Sequence, residues 1–206
     1  MNKTGMIILA AGNSSRLGRP KQLLPYQGKT LLTHVVEESL AADLQPVVVV
    51  TGAHRAEIED SLRGQPVAIA YNPDWETGMA SGIVAGLQKA LSVEPHLPGV
   101  IVAVCDQPYI SAELLGSLIK KQAVSGKGLI ASVYSETLGT PVLFDGRYFM
   151  ELSLLSGDAG AKQLLKRYPD DVATVPFPKG SIDIDTEEDF QTLAFGGHGE
   201  YGSDKG

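Results

Sequence analysis

The chain has 206 residues, of which 43% are hydrophobic and 20% are charged, and these fractions are ordinary for a globular domain. Its 17 basic and 24 acidic side chains give a formal net charge of −7, which argues against broad, sequence-independent binding of nucleic acid. The single cysteine excludes an internal disulfide framework and a multi-cysteine metal site. No apolar stretch approaches the roughly 18 residues of a membrane span, and the amino terminus lacks the layout of a signal peptide. We therefore expect a cytoplasmic protein without a membrane partner.

The first half of the chain alternates short apolar runs with helical patterns. The runs at Met6–Leu9, Val47–Val50 and Val100–Val104 are typical of strands buried on both faces of a parallel sheet. Thr30 and Ser111 are placed to cap two of the helices. A β-α-β-α order with right-handed crossovers predicts a three-layer α/β/α sandwich around a Rossmann-like, mostly parallel sheet.

The second half of the chain is more mixed. Leu129–Val133 and Pro141–Phe144 have the composition of strands, and the second of these can run antiparallel to its neighbours. Thr186–Asp189 resembles a capping box with Asp in place of Glu, and it predicts the start of a last helix. We expect a single domain over residues 1–195 and a flexible, glycine-rich tail over residues 196–206.

A loop of small residues directly follows the first predicted strand, and it has the parts needed to hold a nucleoside triphosphate. Small side chains let backbone N–H groups approach phosphate oxygens, and Arg16 and Lys21 supply positive charge. The loop and the residues after it are not a Walker A motif, because Leu23 stands where that motif requires a glycine before Gly28. An ordinary glycine-rich turn is the alternative, but turn chemistry does not explain the two cations. The residues expected to contact the nucleotide here are Leu9, Ala10, Ala11, Gly12, Ser14, Ser15, Arg16 and Lys21.

Carboxylates at two later positions predict a site for a divalent metal ion. Asp106 follows the third apolar run, and a carboxylate at the end of a buried strand is well placed to hold Mg²⁺ together with substrate phosphates. Asp183 and Asp185 lie on the same side of a short extended segment, and Asp185 can complete the site. The alternatives are that Asp106 only begins a turn and that Asp185 only helps to cap the last helix. We predict that Asp106 and Asp185 hold Mg²⁺.

Two further loops are rich in small or polar residues. Asn72 and Ser81 offer hydrogen bonds to a base or a ribose, and Gly78 permits close approach of the backbone. Trp75, in the same loop, either packs against the domain or contacts the ligand. The segment 156–162 presents backbone N–H groups at a helix start, which serve either an anion or a plain helix cap.

These motifs, in this order, resemble the nucleotidyltransferases of the molybdopterin-cofactor type over about residues 6–194. The first loop, from Leu9 to Lys21, looks like their signature loop. Ala11 stands where the guanylyltransferase branch typically has glycine, which favours CTP over GTP, whereas Thr140 stands where histidine is usual. The later motifs that resemble the molybdenum cofactor cytidylyltransferases are Asp106-Gln107-Pro108, Gly139-Thr140-Pro141, Gly157-Asp158-x-Gly160-Ala161 and Asp183-Ile184-Asp185-Thr186-x-x-Asp189.

The resemblance implies a sheet of the nucleotide-diphospho-sugar transferase type and a Mg²⁺-dependent transfer of CMP from CTP to molybdopterin. The products would be molybdopterin cytosine dinucleotide and pyrophosphate, and the cofactor would pass to a molybdenum hydroxylase of the xanthine dehydrogenase type through a transient contact. Arg16, Lys21 and Asp106 would be the catalytic residues. Two alternatives stay open: transfer to another phosphate acceptor, such as a sugar phosphate, and a cofactor chaperone without catalysis. The residues expected to bind the acceptor are Gln107, Pro108, Gly139, Pro141, Gly157, Asp158 and Gly160.

Overall fold

The computed structural model describes residues 3–15, 17–157, 160–182, 184, 186 and 188–191. Four of the predicted site residues, Arg16, Asp158, Asp183 and Asp185, lie outside these residues, as does the segment 192–206 with the predicted tail. The strands are β1 (Gly5–Leu9), β2 (Pro25–Tyr26), β3 (Lys29–Thr30), β4 (Val47–Thr51), β5 (Ala68–Tyr71), β6 (Gly99–Val104), β7 (Leu129–Tyr134), β8 (Thr137–Asp145) and β9 (Val172–Pro176). The α-helices are α1 (Leu31–Ala41), α2 (Arg55–Ser61), α3 (Met79–Val93), α4 (Ala112–Ser125), α5 (Phe149–Ser153) and α6 (Lys162–Arg167).

Seven of the strands form one sheet in the order β5-β4-β1-β6-β8-β7-β9. Neighbouring strands are parallel from β5 to β6 and again between β7 and β9, while β8 runs antiparallel to both β6 and β7. Ile7 in β1 pairs with Val48 in β4 and with Val102 in β6. This arrangement confirms the predicted three-layer α/β class with a mostly parallel sheet.

The core lies on both faces of the central strands, because successive side chains of a strand point to opposite sides. Ile8 and Val49 belong to the apolar cluster that also contains residues of α1 and α4. Ile7 and Val48 belong to the cluster on the opposite face, with residues of α3. All four are fully buried, and each side chain contributes about 1.5–3 kcal/mol by leaving water.

The helix starts follow the predicted capping signals. Thr30 and Ser111 each accept a hydrogen bond from the backbone N–H three residues later, at 3.0 and 3.3 Å. Thr186 and Asp189 bond reciprocally: the Thr186 N–H donates to the Asp189 carboxylate at 2.8 Å, and the Asp189 N–H donates to the Thr186 hydroxyl at 3.2 Å. Residues 188–191 are helical, so Asp serves here in the place that Glu usually takes. No described helix is long and apolar enough to cross a membrane.

Two hairpins were not predicted from the sequence. Gly28 has a φ of 80° and turns the chain between β2 and β3, so the fragment that resembles the end of a Walker A motif is a short antiparallel hairpin. Ser135 and Glu136, with φ of 46° and 59°, turn the chain between β7 and β8. These two residues rarely adopt the left-handed conformation, so their sequence gave no hairpin signal, and β8 begins four residues before the predicted strand.

The Asp171 carboxylate joins three elements at the far end of the sheet. It accepts hydrogen bonds from the Gly128 N–H at 3.1 Å and from the Tyr148 hydroxyl at 2.5 Å, and it pairs with Arg147 at 3.0 Å. Burial and the adjacent carboxylate raise the pKa of Tyr148 to about 12. Burial works against the ionised carboxylate, but the hydrogen bonds from Tyr148 and Gly128 and the Arg147 charge together lower the pKa of Asp171.

We expect Asp171→Asn to lower the free energy of unfolding at pH 7 by about 1–2 kcal/mol, because the amide replaces a charged acceptor. A group with a lowered folded pKa stabilises fully above its unfolded pKa and loses this contribution as the pH falls through the folded value. The difference from wild type should therefore shrink below about pH 4. Urea unfolding at pH 7 and pH 3 measures it, with Asp170→Asn as the matched control. An equal deficit at both pH values would contradict this role.

Candidate functional site

The loops that follow β1, β5 and β6 surround a cavity of about 250 Å³ at the carboxyl edge of the sheet. Parallel strands bring their carboxyl ends to one edge, so these loops meet although they are far apart in the chain. Trp75 also lines the cavity. The predicted site residues that line this cavity are Leu9, Ala10, Ala11, Gly12, Lys21, Asn72, Gly78 and Asp106.

The first loop is held in shape by two side chains of its own. The Gln22 amide is 1% exposed and donates to the carbonyls of Ala10 and Gly12, at 2.9 Å each. The Ser14 hydroxyl accepts from the Lys21 N–H at 3.1 Å. This hydrogen bond links the middle of the loop to Lys21, which supplies positive charge. The sequence analysis missed Gln22, because a glutamine beside a lysine gives no sign that it will fold back under a loop.

The Lys21 ammonium contacts the Asp106 carboxylate, and both residues line this cavity. Nζ of Lys21 is 2.5 Å from Oδ2 of Asp106, and the two side chains are 19% and 16% exposed. The other carboxylate oxygen, Oδ1, is buried and has no hydrogen-bond partner among the described residues. A buried acceptor without a donor is unfavourable, and a hard divalent cation is a ligand that would satisfy it.

Within the described part of the chain, no group of three or more His, Cys, Asp or Glu residues could hold a metal ion. Asp106 is therefore the described carboxylate of the predicted site, and Asp185 lies outside the described residues. Ile184 lies between Asp183 and Asp185 in the sequence, and its backbone N–H donates to the Asp106 carbonyl at 3.3 Å.

Asn72 and Ser81 shape the loop after β5 through their polar atoms. The Asn72 side chain is buried, donates to the Ser81 hydroxyl at 2.9 Å and accepts from the Asp74 N–H at 3.1 Å. The Ser81 hydroxyl is within 2.9 Å of the Gly78 carbonyl. Gly78, with φ of 114°, makes the sharp turn into α3. These bonds hold the loop against the cavity, which Asn72 and Gly78 line.

The loop after β4 approaches the first loop at Gly52. A Cβ at this position would lie 2.6 Å from the Ala11 carbonyl oxygen and 2.9 Å from the Trp75 Cβ. The next N–H, of Ala53, donates to the same Ala11 carbonyl at 3.1 Å. Gly52 is therefore required for space, a role that the sequence alone did not reveal because it depends on two distant loops.

A second cavity, of about 320 Å³, adjoins the first and shares Met79, Val104 and Asp106 with it. Its other walls come from the turn after β6, the start of β8 and the start of α6. Gln107 and Gly139, which were expected to bind the acceptor, line this second cavity. Asp106 thus stands at the junction of the two spaces.

Asp158 lies outside the described residues. The other four predicted acceptor residues do not line this second cavity: Pro108, Pro141, Gly157 and Gly160. Pro108 and Pro141 are buried, and the Pro141 carbonyl accepts from the Ser132 hydroxyl at 2.8 Å. The Gly157 carbonyl accepts from the Ala80 N–H at 3.2 Å, which ties this loop to the start of α3.

The Gln107 side chain is 3% exposed and bridges three segments. Its amide nitrogen donates to the Gly180 carbonyl at 2.7 Å, and its oxygen accepts from the Thr140 hydroxyl at 3.1 Å. These bonds fix the turn that carries Asp106 against β8 and against the segment after β9. Sequence analysis placed Gln107 at the site, and the structure adds this bracing role.

Cys105 directly follows β6 and lines the first cavity, but it is only 2% exposed. Burial, together with the Asp106 charge beside it, raises the pKa of the Cys105 thiol well above its usual range. The thiol therefore stays protonated at neutral pH, and a protonated thiol is a poor nucleophile.

Comparison with known proteins gives a family match over most of the chain. Residues 6–172 match the model of the MobA-like NTP transferase domain. The chain is 33% identical to nicotine blue oxidoreductase of Paenarthrobacter nicotinovorans and 29% identical to purine catabolism protein PucB of Bacillus subtilis (strain 168), each over 91% of this chain and 94% of the relative. It is 34% identical to a probable molybdenum cofactor guanylyltransferase of Bacillus cereus (strain AH187), over 59% of this chain and 58% of that protein.

Among solved structures, the chain is similar to Rv0371c from Mycobacterium tuberculosis H37Rv, with a TM-score of 0.81 and 26% identity over 93% of this chain and 97% of that one. The manganese complex of Rv0371c superposes with a TM-score of 0.75 and 24% identity, covering 93% and 98% of the two chains. The family match covers both the first loop and Asp106. This chain therefore belongs to the MobA-like NTP transferase family and is a nucleotidyltransferase.

Proposed function

We propose that this nucleotidyltransferase transfers CMP from CTP to the phosphate of molybdopterin, giving molybdopterin cytosine dinucleotide and pyrophosphate. The proposal rests on the two adjoining cavities that share Asp106. The first loop borders one cavity, and the predicted acceptor residues Gln107 and Gly139 line the other. Two substrates in these cavities would meet at Asp106, the carboxylate that both cavities share among the described residues. The product would then pass to a molybdenum hydroxylase of the xanthine dehydrogenase type.

In this reaction an oxygen of the molybdopterin phosphate forms a bond to the α-phosphorus of CTP. The bond between the α-phosphorus and the α–β bridging oxygen breaks, and pyrophosphate leaves with its electron pair. The nucleophile is already an anion, so the protein needs no strong general base. Its task is to position the two phosphates and to offset the charge that grows on the leaving group.

The residues of the site divide this task. Lys21 and Arg16 would offset charge on the triphosphate, and the first loop would hold the nucleotide through its backbone N–H groups. Asp106 and Asp185 would hold a divalent cation, for which Mg²⁺ is the proposed ion. When bound, such an ion polarises phosphate oxygens and neutralises their charge. The orphaned Oδ1 of Asp106 and the manganese complex of the similar protein Rv0371c support this assignment.

Ala11 supports CTP as the nucleotide. Ala11 lines the first cavity, and its Cβ would lie 2.8 Å from a Cβ at position 52. The family branch that uses GTP typically has glycine here, so the methyl group narrows the space that a larger purine would need. PucB, a relative matched over 91% of the chain, bears a name in purine catabolism, which fits delivery of the cofactor to a purine hydroxylase.

The decisive assay offers CTP, GTP, ATP and UTP, each with molybdopterin and Mg²⁺, and measures pyrophosphate release and dinucleotide formation by mass spectrometry. We expect CTP to be used at least about tenfold better than GTP, since about 1.4 kcal/mol of discrimination gives that ratio. The parallel arm replaces molybdopterin by a sugar 1-phosphate. Transfer to the sugar phosphate alone would overturn the proposed acceptor, and tight cofactor binding without pyrophosphate release would favour a chaperone.

Asp106→Asn should lower the rate of transfer by about 10²-fold or more, because it removes a metal ligand at the reacting phosphates. The side chain keeps its size, so the melting temperature should change little. Asp60→Asn, at an exposed carboxylate on α2, is the matched control. Treatment with EDTA should abolish wild-type transfer, and added Mg²⁺ or Mn²⁺ should restore it. Near-normal turnover by Asp106→Asn would refute the metal assignment.

Gly52→Ala should weaken CTP binding, because the added Cβ would clash with the Ala11 carbonyl oxygen and with the Cβ atoms of Ala11 and Trp75. Trp75 is the only tryptophan of the chain and lines the first cavity, so its fluorescence reports binding directly. We expect a rise of about tenfold or more in the CTP dissociation constant, the result of a loop misplaced by a fraction of an ångström. Gly116→Ala, where an added Cβ meets no atom within 4 Å, is the matched control. Equal affinities in the two variants would contradict the spatial role of Gly52.

A further inference from the structure

The second cavity presents an electrostatic problem for the acceptor. Its charged wall residues, within the described part of the chain, are Asp106 and Lys162. Oδ2 of Asp106 already lies 2.5 Å from the Lys21 ammonium, which also lines the nucleotide cavity. The Asp106 carboxylate would therefore repel an incoming acceptor phosphate. The lysine that offsets its charge, Lys21, also lines the cavity proposed for the triphosphate. A second cation is needed on the acceptor side.

Lys162 is in the right place to supply this charge. It begins α6, and its preceding neighbour Ala161 is 5% exposed and packs in the core, so the backbone is anchored in the cavity wall. Leu164 and Leu165 are also buried and fix the helix to the sheet. The Lys162 side chain itself is exposed, and no ion pair with another described residue holds it.

Gly160, two residues before Lys162, has a φ of 49° and packs against the Met79 side chain, which borders both cavities. A Cβ at position 160 would lie 2.9 Å from the Met79 sulfur. The start of α6 therefore has a fixed position relative to Asp106, although the two lie more than fifty residues apart in the chain.

We propose that Lys162 binds the phosphate of the acceptor. This inference rests on the proposed function, and it divides the charge between two lysines: Lys21 serves the triphosphate and Lys162 serves the nucleophile. A flexible ammonium acts as a point charge on phosphate and can follow the anion toward the α-phosphorus. Lys162 is then a substrate-binding residue that the proposed mechanism does not yet contain.

The test compares Lys162→Met with Lys166→Met, since both lysines are exposed on α6 but only Lys162, of the two, lines the cavity. Steady-state rates are measured with CTP and with molybdopterin varied in turn. For Lys162→Met we expect the KM for molybdopterin to rise about 10- to 100-fold, the loss of one charge-assisted contact, with little change in the KM for CTP. Lys162→Arg should restore most of the acceptor affinity, and Lys166→Met should match wild type.

Three results would overturn the assignment of Lys162. A raised KM for CTP with an unchanged KM for molybdopterin would place Lys162 on the triphosphate. Unchanged KM values for both substrates would exclude a contact between Lys162 and either substrate. An equal effect of Lys166→Met would show that the change in KM comes from general surface charge.

Equilibrium dialysis of molybdopterin against wild type and Lys162→Met separates this inference from the proposed function. If wild type makes no cytosine dinucleotide but Lys162→Met still loses molybdopterin binding, the proposed function fails and the role of Lys162 stands. If wild type makes the dinucleotide and Lys162→Met binds molybdopterin normally, the role of Lys162 fails and the function stands. A wild-type protein that neither binds nor converts molybdopterin overturns both.

Discussion

The ion pair between Lys21 and Asp106 joins the two halves of the site, and the pairing of β1 with β6 makes it possible. Leu9 and Val104, the last residues of these strands, are partners in the sheet, and the Cys105 N–H donates to the Leu9 carbonyl at 3.3 Å. The first loop and Asp106 therefore leave the sheet side by side. Every chemical role assigned to the site depends on this adjacency, because Lys21 and Asp106 are 85 positions apart in the chain.

The single antiparallel strand creates the second cavity. Because β8 runs opposite to β6, its amino-terminal part lies at the carboxyl end of β6, beyond the pairing of Val102 with Val142. Gly139 and Thr140 thus reach the level of Asp106 and Gln107, where a parallel strand would have presented its carboxyl end and a crossover to a helix. The reversal of this strand places the second cavity beside the first, and Asp106 lines both of them.

The sequence predicted what local patterns determine, and it missed what depends on distant contacts. Buried runs such as Val47–Val50 and the caps at Thr30 and Ser111 were predictable, since apolar periodicity and capping act within a few residues. The first loop and Asp106 could be proposed as parts of a site from residue type alone, and the structure places residues of both in the wall of one cavity. Gln22 and Gly52 were not, because their roles appear only when another loop lies against them.

The arrangement around Asp106 is better explained by binding than by stability. A buried carboxylate that pairs with a lysine through one oxygen and leaves the other without a donor loses about 1–3 kcal/mol relative to a satisfied acceptor. Replacement of such a pair by well-packed apolar side chains is often neutral or stabilising, so folding alone gives no reason to keep it. A cation at the second oxygen would satisfy Asp106 and weaken its hold on Lys21, whose ammonium lines the nucleotide cavity. The Asp106 oxygen that has no partner among the described residues and the lysine paired with the other oxygen therefore lie in one site, and under the proposed function a bound nucleotide and cation would complete its contacts.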